Sequence, residues 1–189
     1  MGGFFGVVSK NDCMADVFFG TDYHSHLGTR RGGMAAFDEE IGLQRQIHNI
    51  ENSPFRTRFE NIFDDMKGTS AIGCKSSMEP QPLLIRSSLG VFAISFIGIM
   101  NNADELIEKY LDKSSGHVDA MTGGKVNSVE LLAGLISLKD NFTDGIKFAQ
   151  EVIDGSACIL ILKDGGNIIA ARDKLGRLPV IIGKDENGH

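Results

Sequence analysis

Three histidines near the N-terminus are the side chains of this sequence best suited to binding a metal ion. His24, His26 and His48 could be joined by Cys13 or Asp22. Structural zinc sites usually show paired ligands at short, regular spacings, such as C-x-x-C or H-x₃-H. The Tyr-His-Ser-His stretch has no partner of that kind. We therefore predict no metal site and no cofactor, and we expect hydrogen-bonded or solvent-facing imidazoles.

The cysteine thiols are the strongest potential nucleophiles of the chain. Cys13, Cys74 and Cys158 are odd in number and irregularly spaced. An odd number of irregularly spaced cysteines is typical of reduced thiols in a cytoplasmic protein rather than of a disulfide framework. Cys158 lies inside the apolar run SACILILK, so we expect it to be a buried structural thiol.

The composition bounds the class of protein. The 189 residues are 42% hydrophobic and 23% charged, with a net charge of −6, which predicts one soluble globular domain. Lysine and arginine are not clustered, and this argues against a nucleic-acid surface. We find neither a signal peptide nor a stretch able to span a bilayer, and we predict no membrane partner. The glycines beside Arg30 and Arg31 lack the G-x-x-x-x-G-K pattern of a phosphate loop.

Strands must position most of the candidate residues. Seven runs rich in Ile, Val and Phe, bounded by Gly, Pro, Asn or Asp, predict strands. They cover 4–9, 70–74, 82–88, 90–100, 157–163, 167–173 and 179–184. Glycines at Ser88-Leu89-Gly90 and Asp164-Gly165-Gly166 predict two tight hairpin turns, because glycine tolerates a positive φ.

Helices are predicted between these strands. Asn102 with Glu105, and Asn127 with Glu130, are typical of capping boxes that open two helices, the first of them predicted within 101–113. A third helix is predicted from Thr143, and an earlier one within 11–27. Hairpins combined with grouped helices favour an antiparallel α+β fold over a doubly wound parallel sheet.

Four collinear segments resemble one protein family. They are GGFFGVVS (2–9), LGTRRGGMAAF (27–37), the stretch 70–106, and GSACILILKDGGNIIAARDKLGRLPVIIGK (155–184). In this order they are similar to the Cys-Gly-x-x-Gly, Arg-Gly, Gly-His-x-Arg to His-Asn-Gly-Asn, and Arg-Asp-Pro-x-Gly-Ile-Arg-Pro-Leu motifs of the glutaminase domain of amidophosphoribosyltransferases. That domain is a class II glutamine amidotransferase with the N-terminal-nucleophile (Ntn) hydrolase fold.

The resemblance implies a fold and a domain arrangement. The implied fold is a four-layer α/β/β/α sandwich of two antiparallel sheets between helix layers. Residues 1–189 would form a single glutamine amidotransferase type 2-like domain, the N-terminal fragment of a longer chain. Expected partners are a downstream phosphoribosyltransferase domain or further copies of the chain.

The resemblance also implies that the expected chemistry is missing. The family's nucleophilic Cys falls on Gly2, which carries no attacking atom. Its oxyanion-binding Asn falls on Ile97, which leaves only the Gly98 amide of that motif. The Arg that binds the substrate carboxylate falls on Ser76, beside Lys75.

Two further family positions concern binding and structure. The Asp that binds the substrate ammonium falls on Asn127. Arg31 keeps the family's arginine and counts with Ser76 and Asn127 among the family's substrate-binding positions. Arg30 and Arg31 could bind phosphate, but we favour a structural role for Arg31 near the first strand, contacting backbone carbonyls. Arg177 and Asp173 are expected to form a turn and a surface ion pair, or else to act at a domain interface.

The leading hypothesis is therefore a glutaminase-like domain that does not hydrolyse glutamine and has a structural or regulatory role. One alternative is an amide hydrolase with a displaced nucleophile, Cys74 or Ser76. Another is a small-metabolite sensor that binds its ligand in the remodelled cleft.

Overall fold

The computed structural model describes residues 2–24, 26–111, 121–122 and 125–188. Eight strands form two four-stranded sheets. The strands of the first sheet are β1 (Gly2–Val8), β2 (Arg31–Asp38), β3 (Gly42–Asn49) and β4 (Ser70–Ser76). Those of the second are β5 (Leu83–Ser87), β6 (Gly90–Met100), β9 (Gly155–Lys163) and β10 (Ile168–Ala171), and a separate small hairpin consists of β7 (Met121–Thr122) and β8 (Lys125–Val126). The first sheet has the order β1-β4-β2-β3 and the second the order β10-β9-β6-β5, and every neighbouring pair is antiparallel.

Helices cover the outer face of each sheet. On the first sheet they are α1 (Met14–Tyr23), α2 (Phe55–Phe59) and α3 (Ile62–Asp65). On the second they are α4 (Ala103–Leu106), continued as a π-turn at Ile107–Leu111, α5 (Ser128–Ser137) and α6 (Phe142–Val152). Within the described ranges, every helix is too short or too polar to cross a lipid bilayer.

Three apolar layers hold the sandwich together. Phe18, Phe55 and Phe59 lie between the first sheet and its helices. Between the two sheets, Ile72 meets Leu160 and Leu162, so the inward faces of both sheets are apolar. A third layer, rich in Leu and Ile, joins the second sheet to α5 and α6. The predicted antiparallel α+β sandwich is thus confirmed.

The local sequence signals were right at most elements and wrong at a few. Gly90, Gly165 and Gly166 have positive φ values of 97°, 100° and 80° in the two predicted hairpin turns. Asn127 caps α5 as predicted, by accepting a hydrogen bond from the Val129 amide. The helix predicted from Thr143 begins one residue earlier, at Phe142, and Asn141 caps it.

The capping box predicted at Asn102 is wrong. Its side chain makes no capping bond to α4. It instead donates to the Val152 carbonyl and accepts from the Asp154 amide, because α6 ends beside it. The last two residues of that predicted helix, 112 and 113, lie outside the described residues.

The strand predicted at 179–184 is also wrong. That segment is irregular, and Ile181 and Ile182 are 89% and 78% exposed. An apolar run becomes a strand only where a neighbouring backbone accepts and donates its hydrogen bonds, and this segment pairs with no other described strand. Strands β2 and β3 were not predicted. Half of β2 is Gly and Ala, residues that are depleted in strands, and β3 is a polar edge strand with weak alternation.

Candidate functional site

The start of β1 brings three of the predicted site positions into one row. Gly2 is paired with Ser76 of β4, and Ser76 is paired on its other side with Arg31 of β2. These residues lie far apart in the chain, and the register of three adjacent strands alone makes them neighbours. This row lies at one end of the strands of the first sheet, next to the C-terminal part of β6.

Ile97 of β6 fills the space that faces Gly2. A Cβ atom built on Gly2 would lie 2.7 Å from the Ile97 Cδ1 atom and would also collide with the Lys75 carbonyl oxygen. Contacts this short force neighbouring atoms to move, so position 2 accepts only glycine in the present packing. Ile97 itself is 8% exposed.

An apolar cluster surrounds Ile97 between the two sheets. It contains Cys74 and Cys158 as buried members, with Phe4, Leu178 and Val180 packed against them. Leu178 and Val180 come from the segment after β10, which seals this end of the sandwich. The Cys158 thiol donates to the Leu178 carbonyl at 3.6 Å. Apolar side chains from both sheets and from the segment after β10 therefore pack around the Ile97 side chain that faces Gly2.

Gly98 has a packing reason to be glycine. It lies opposite Ala157 in the β6–β9 ladder. A Cβ there would collide with the Ser156 carbonyl oxygen and would lie 2.8 Å from the Phe96 ring.

Cys74 and Ser76 are both engaged in structural contacts. Cys74 is fully buried, and burial raises the pKa of its thiol to about 12, against a weaker opposite effect of Ser95. A thiol with that pKa is protonated at neutral pH and is a poor nucleophile. The Ser76 hydroxyl accepts hydrogen bonds from the Met78 and Glu79 amides at 3.1 and 3.2 Å, which fixes the turn after β4.

Lys75 points away from this row, to the helix side of the first sheet. Its ammonium lies 3.3 Å from the Asp22 carboxylate and 4.7 Å from the centre of the Phe55 ring. Burial lowers the pKa of Lys75, while the hydrogen bond and charge of Asp22 act in the opposite direction. Arg56 also binds Asp22, at 2.9 Å. Lys75 therefore cannot replace the positive charge of the Arg that the family has at the position of Ser76.

Asn127 and Arg31 also have structural partners. Asn127 is fully buried and uses its Oδ1 atom to cap α5, whereas its buried Nδ2 atom has no hydrogen-bond partner among the described residues. Arg31 is half-buried and donates to the carbonyl of Arg30 at 3.1 Å. This contact is local to the start of β2, which β4 separates from β1.

Asp173 organises the turn that follows β10. Its carboxylate accepts hydrogen bonds from the Ala157 and Arg177 amides at 3.2 and 3.1 Å. Desolvation alone would raise the pKa of Asp173, but the backbone amides of Arg177, Ala157 and Leu175 together with the Arg177 charge bring it below its usual value. Arg177 donates to the Gly155 carbonyl at 3.0 Å rather than forming the predicted direct ion pair with Asp173.

The histidines do not assemble a metal centre. In the part of the chain that the structure describes, no three His, Cys, Asp or Glu side chains group closely enough to hold an ion. His24 instead covers the start of β1, where a Cβ on Gly3 would lie 3.0 Å from its ring. Burial, then His26 and Lys75, lower the pKa of His24.

Known proteins with similar sequences indicate a family for this chain. No family model matches the chain. The amidophosphoribosyltransferase of Methanocaldococcus jannaschii is 27% identical over 197 residues, which cover 99% of this chain and 41% of that protein. The amidophosphoribosyltransferase of Haemophilus influenzae is 22% identical over all of this chain and 40% of its own length. The chain is a homologue of the N-terminal part of amidophosphoribosyltransferases.

Solved structures agree with the sequence relatives. The glutamine phosphoribosylpyrophosphate amidotransferase of B. subtilis, complexed with ADP and GMP, matches with a TM-score of 0.76 and 25% identity over 93% of this chain and 38% of its own. A structure described as the allosteric regulatory enzyme of purine biosynthesis matches with a TM-score of 0.75 and 23% identity over 91% of this chain and 37% of its own. The resemblance and the Ntn-hydrolase fold are confirmed, and the chain spans about two fifths of the length of its curated relatives.

Sequence reasoning missed Leu178 and Val180. The family motif predicts Arg and Leu at these positions, before and after a Pro, and the chain has Leu178 and Val180 around Pro179. Because 179–184 was predicted as a strand, the packing of these two side chains against Ile97 was not expected. This chain has Leu178 where the family motif has a charged Arg, and that difference was the available signal, because it adds a hydrocarbon side chain next to Ile97.

Proposed function

We propose that this chain is a glutamine amidotransferase-like domain that does not hydrolyse glutamine. The observation that carries the proposal is the contact between Gly2 and Ile97. The position that the resemblance assigns to the nucleophile has no side chain, and the space that such a side chain needs is filled.

The loss of the nucleophile alone would stop the reaction. Attack on a carboxamide carbon needs a thiol or hydroxyl, and the acyl-enzyme forms through that atom. An α-amine at Gly2 could still accept a proton, but a base without a nucleophile forms no acyl-enzyme. Cys74 is not a replacement, since its thiol is buried and protonated.

The electrostatic requirements are unmet as well. Ile97 cannot donate a hydrogen bond to an oxyanion, and removal of one such donor typically costs a factor of about 10²–10³ in rate. The position assigned to the carboxylate-binding Arg is Ser76, whose hydroxyl is occupied by two backbone amides. A polar substrate would also have to displace the apolar cluster around Ile97.

In a whole protein of this family the silent domain would have a structural or regulatory role. We propose that its partner is a phosphoribosyltransferase domain of the kind that gives its relatives their name. With no glutamine hydrolysis, such a protein would use free ammonia as its nitrogen donor.

The test is an assay of glutamate release from glutamine by the purified chain. Mass spectrometry first establishes whether the N-terminus is Met1 or Gly2, since only the latter leaves a free amine at the family position. We expect release equal to the buffer blank. Turnover above the blank that a glutamine-analogue alkylating agent abolishes would refute the proposal.

A double variant provides the matched control. Gly2→Cys combined with Ile97→Asn restores two of the three missing groups, the nucleophile and the oxyanion donor, and removes the hydrocarbon that faces position 2. Gly2→Cys alone leaves Ile97 in place. We expect slower alkylation of the introduced thiol in the single variant than in the double variant, because only the latter removes the Ile97 Cδ1 atom, whereas the collision with the Lys75 carbonyl oxygen is common to both.

A further inference from the structure

A cleft lies on the helix side of the second sheet, whereas the apolar cluster around Ile97 lies between the two sheets at the same end of the sandwich. It has a volume of about 260 Å³ and lies between the C-terminal end of α6 and the turn at 173–177. This volume is slightly below the range of about 300–1,000 Å³ that is typical of sites for drug-sized ligands. The cleft therefore suits a smaller molecule.

The walls of the cleft are fixed by hydrogen bonds to the backbone. Asp173 holds the turn through the Ala157 and Arg177 amides. Gln150 joins α6 to the strands by donating to the carbonyls of Ala157 and Arg172 at 3.3 and 2.8 Å. These contacts give the cleft a defined shape before any ligand enters, which lowers the entropic cost of binding.

Opposite charges line its two sides. Lys174 and Arg177 come from the turn, whereas Glu151 and Asp154 come from the end of α6. Among the described residues, none of the four is part of an ion pair. Arg177 uses one guanidinium N–H for the Gly155 carbonyl, which leaves four donors. The α6 C-terminus carries the negative end of the helix dipole, which favours a cation there.

The same cleft has a small apolar wall. Ile153 is buried beneath it and Leu175 is 66% exposed at its rim. An exposed leucine beside a concave surface loses water when an aliphatic group packs against it, and this stabilises the contact.

We propose that this cleft binds a zwitterionic α-amino acid with an aliphatic side chain. The ligand carboxylate contacts Arg177 and Lys174, the ammonium contacts Asp154 and Glu151 at the helix end, and the side chain packs on Leu175. This site is separate from the family's glutamine position, and its occupancy does not depend on whether the chain hydrolyses glutamine.

The test is a calorimetric titration of the full chain with L-leucine. Two matched probes carry the same branched hydrocarbon but one charge each: 4-methylpentanoate lacks the ammonium and 3-methylbutylamine lacks the carboxylate. Hydrogen bonds to charged groups contribute about 1.5–3 kcal/mol, so each truncated probe should bind at least about tenfold more weakly. Equal binding of all three probes, or no saturable binding of leucine, would overturn the proposal.

Four variants locate the site. Arg177→Gln should weaken leucine and 4-methylpentanoate about tenfold or more but leave 3-methylbutylamine unchanged, and Asp154→Asn should do the reverse. Lys174→Gln tests the carboxylate side without touching a backbone contact, in case Arg177→Gln unfolds the turn. Lys147→Gln, on the exposed face of α6 outside the cleft, is the charge-matched control and should bind like the wild type. Binding that none of the cleft variants changes would refute the assignment.

Discussion

At the scale of single residues, the absence of a side chain at Gly2 is part of the packing. Gly2, the Lys75 carbonyl and Ile97 occupy the volume in which a larger residue would place its first carbon. The same strand end has a buried cation on its other side, where Lys75 is held by Asp22. Cys74 and Lys75 are neighbours on β4 and therefore lie on opposite faces of the first sheet. The face of Cys74 is apolar, and the face of Lys75 holds an ion pair.

Gly2→Cys as a single substitution should destabilise the fold. The added atoms collide with a backbone oxygen and with Ile97, and overpacking of this kind costs about 1–3 kcal/mol. Urea unfolding followed by circular dichroism measures the loss. Gly183→Ala is the control, since a Cβ there meets nothing within 4 Å. An unchanged unfolding midpoint for Gly2→Cys would contradict the packing around position 2.

The ion pair below the sheet should respond asymmetrically to substitution. Lys75→Met replaces the ammonium with an unbranched apolar chain, and Asp22 keeps Arg56 at 2.9 Å. We expect the stability to stay within about 1.5 kcal/mol of the wild type. Asp22→Asn leaves the buried Lys75 without its carboxylate and should cost about 1–3 kcal/mol. Denaturant unfolding of both variants tests this, and equal losses would show that Lys75 is not held by Asp22.

At the scale of elements, the turn after β10 depends on one carboxylate. Asp173 joins the start of β9 to the turn at 173–177, and both of its oxygens accept backbone amides. This turn also positions Leu178 and Val180, which pack in the cluster with Ile97. A change at Asp173 should therefore affect the closed end of the sandwich.

The acid stability of the protein should show this contribution of Asp173. Its pKa in the folded state is lowered, so the stabilisation is present above the unfolded-state pKa of about 3.9 and is lost as the pH falls through the lower folded-state value. Asp173→Asn has one acceptor oxygen instead of two. We expect a lower melting temperature at pH 7 and a shallower loss of stability as the pH falls below the unfolded-state pKa. Parallel melting curves for both proteins across that window would contradict the assignment.

At the scale of the whole molecule, three cysteines report on the integrity of the sandwich. Cys13, Cys74 and Cys158 are buried in different parts of it: Cys74 and Cys158 lie between the sheets, and Cys13 lies at the N-terminal end of α1. Burial raises the pKa of Cys13 to about 12, with smaller effects of Asp12 and Asp16. Their thiolates are available to a reagent only after the structure opens.

Thiol labelling should therefore be slow in the folded protein and fast in the unfolded one. For a stability of about 5 kcal/mol or more, the labelling rate of all three thiols with an aromatic disulfide reagent should fall about a thousandfold or more on folding. Mass spectrometry of peptides identifies each labelled cysteine. A Cys74 that reacts rapidly in the native state would favour the displaced-nucleophile hypothesis.

The sequence by itself determined the strands built from runs of Ile, Val and Phe, the glycine turns at Gly90 and Gly165, the Asn127 cap and the family resemblance. These features depend on residues close in the chain or on collinear motifs. Only the tertiary structure decided that Gly2 and Ser76 share one row and that Ile97 closes the space beside it. Only it showed that 179–184 pairs with no described strand. Strand register and side-chain packing join residues distant in sequence, and local patterns do not encode those contacts one by one.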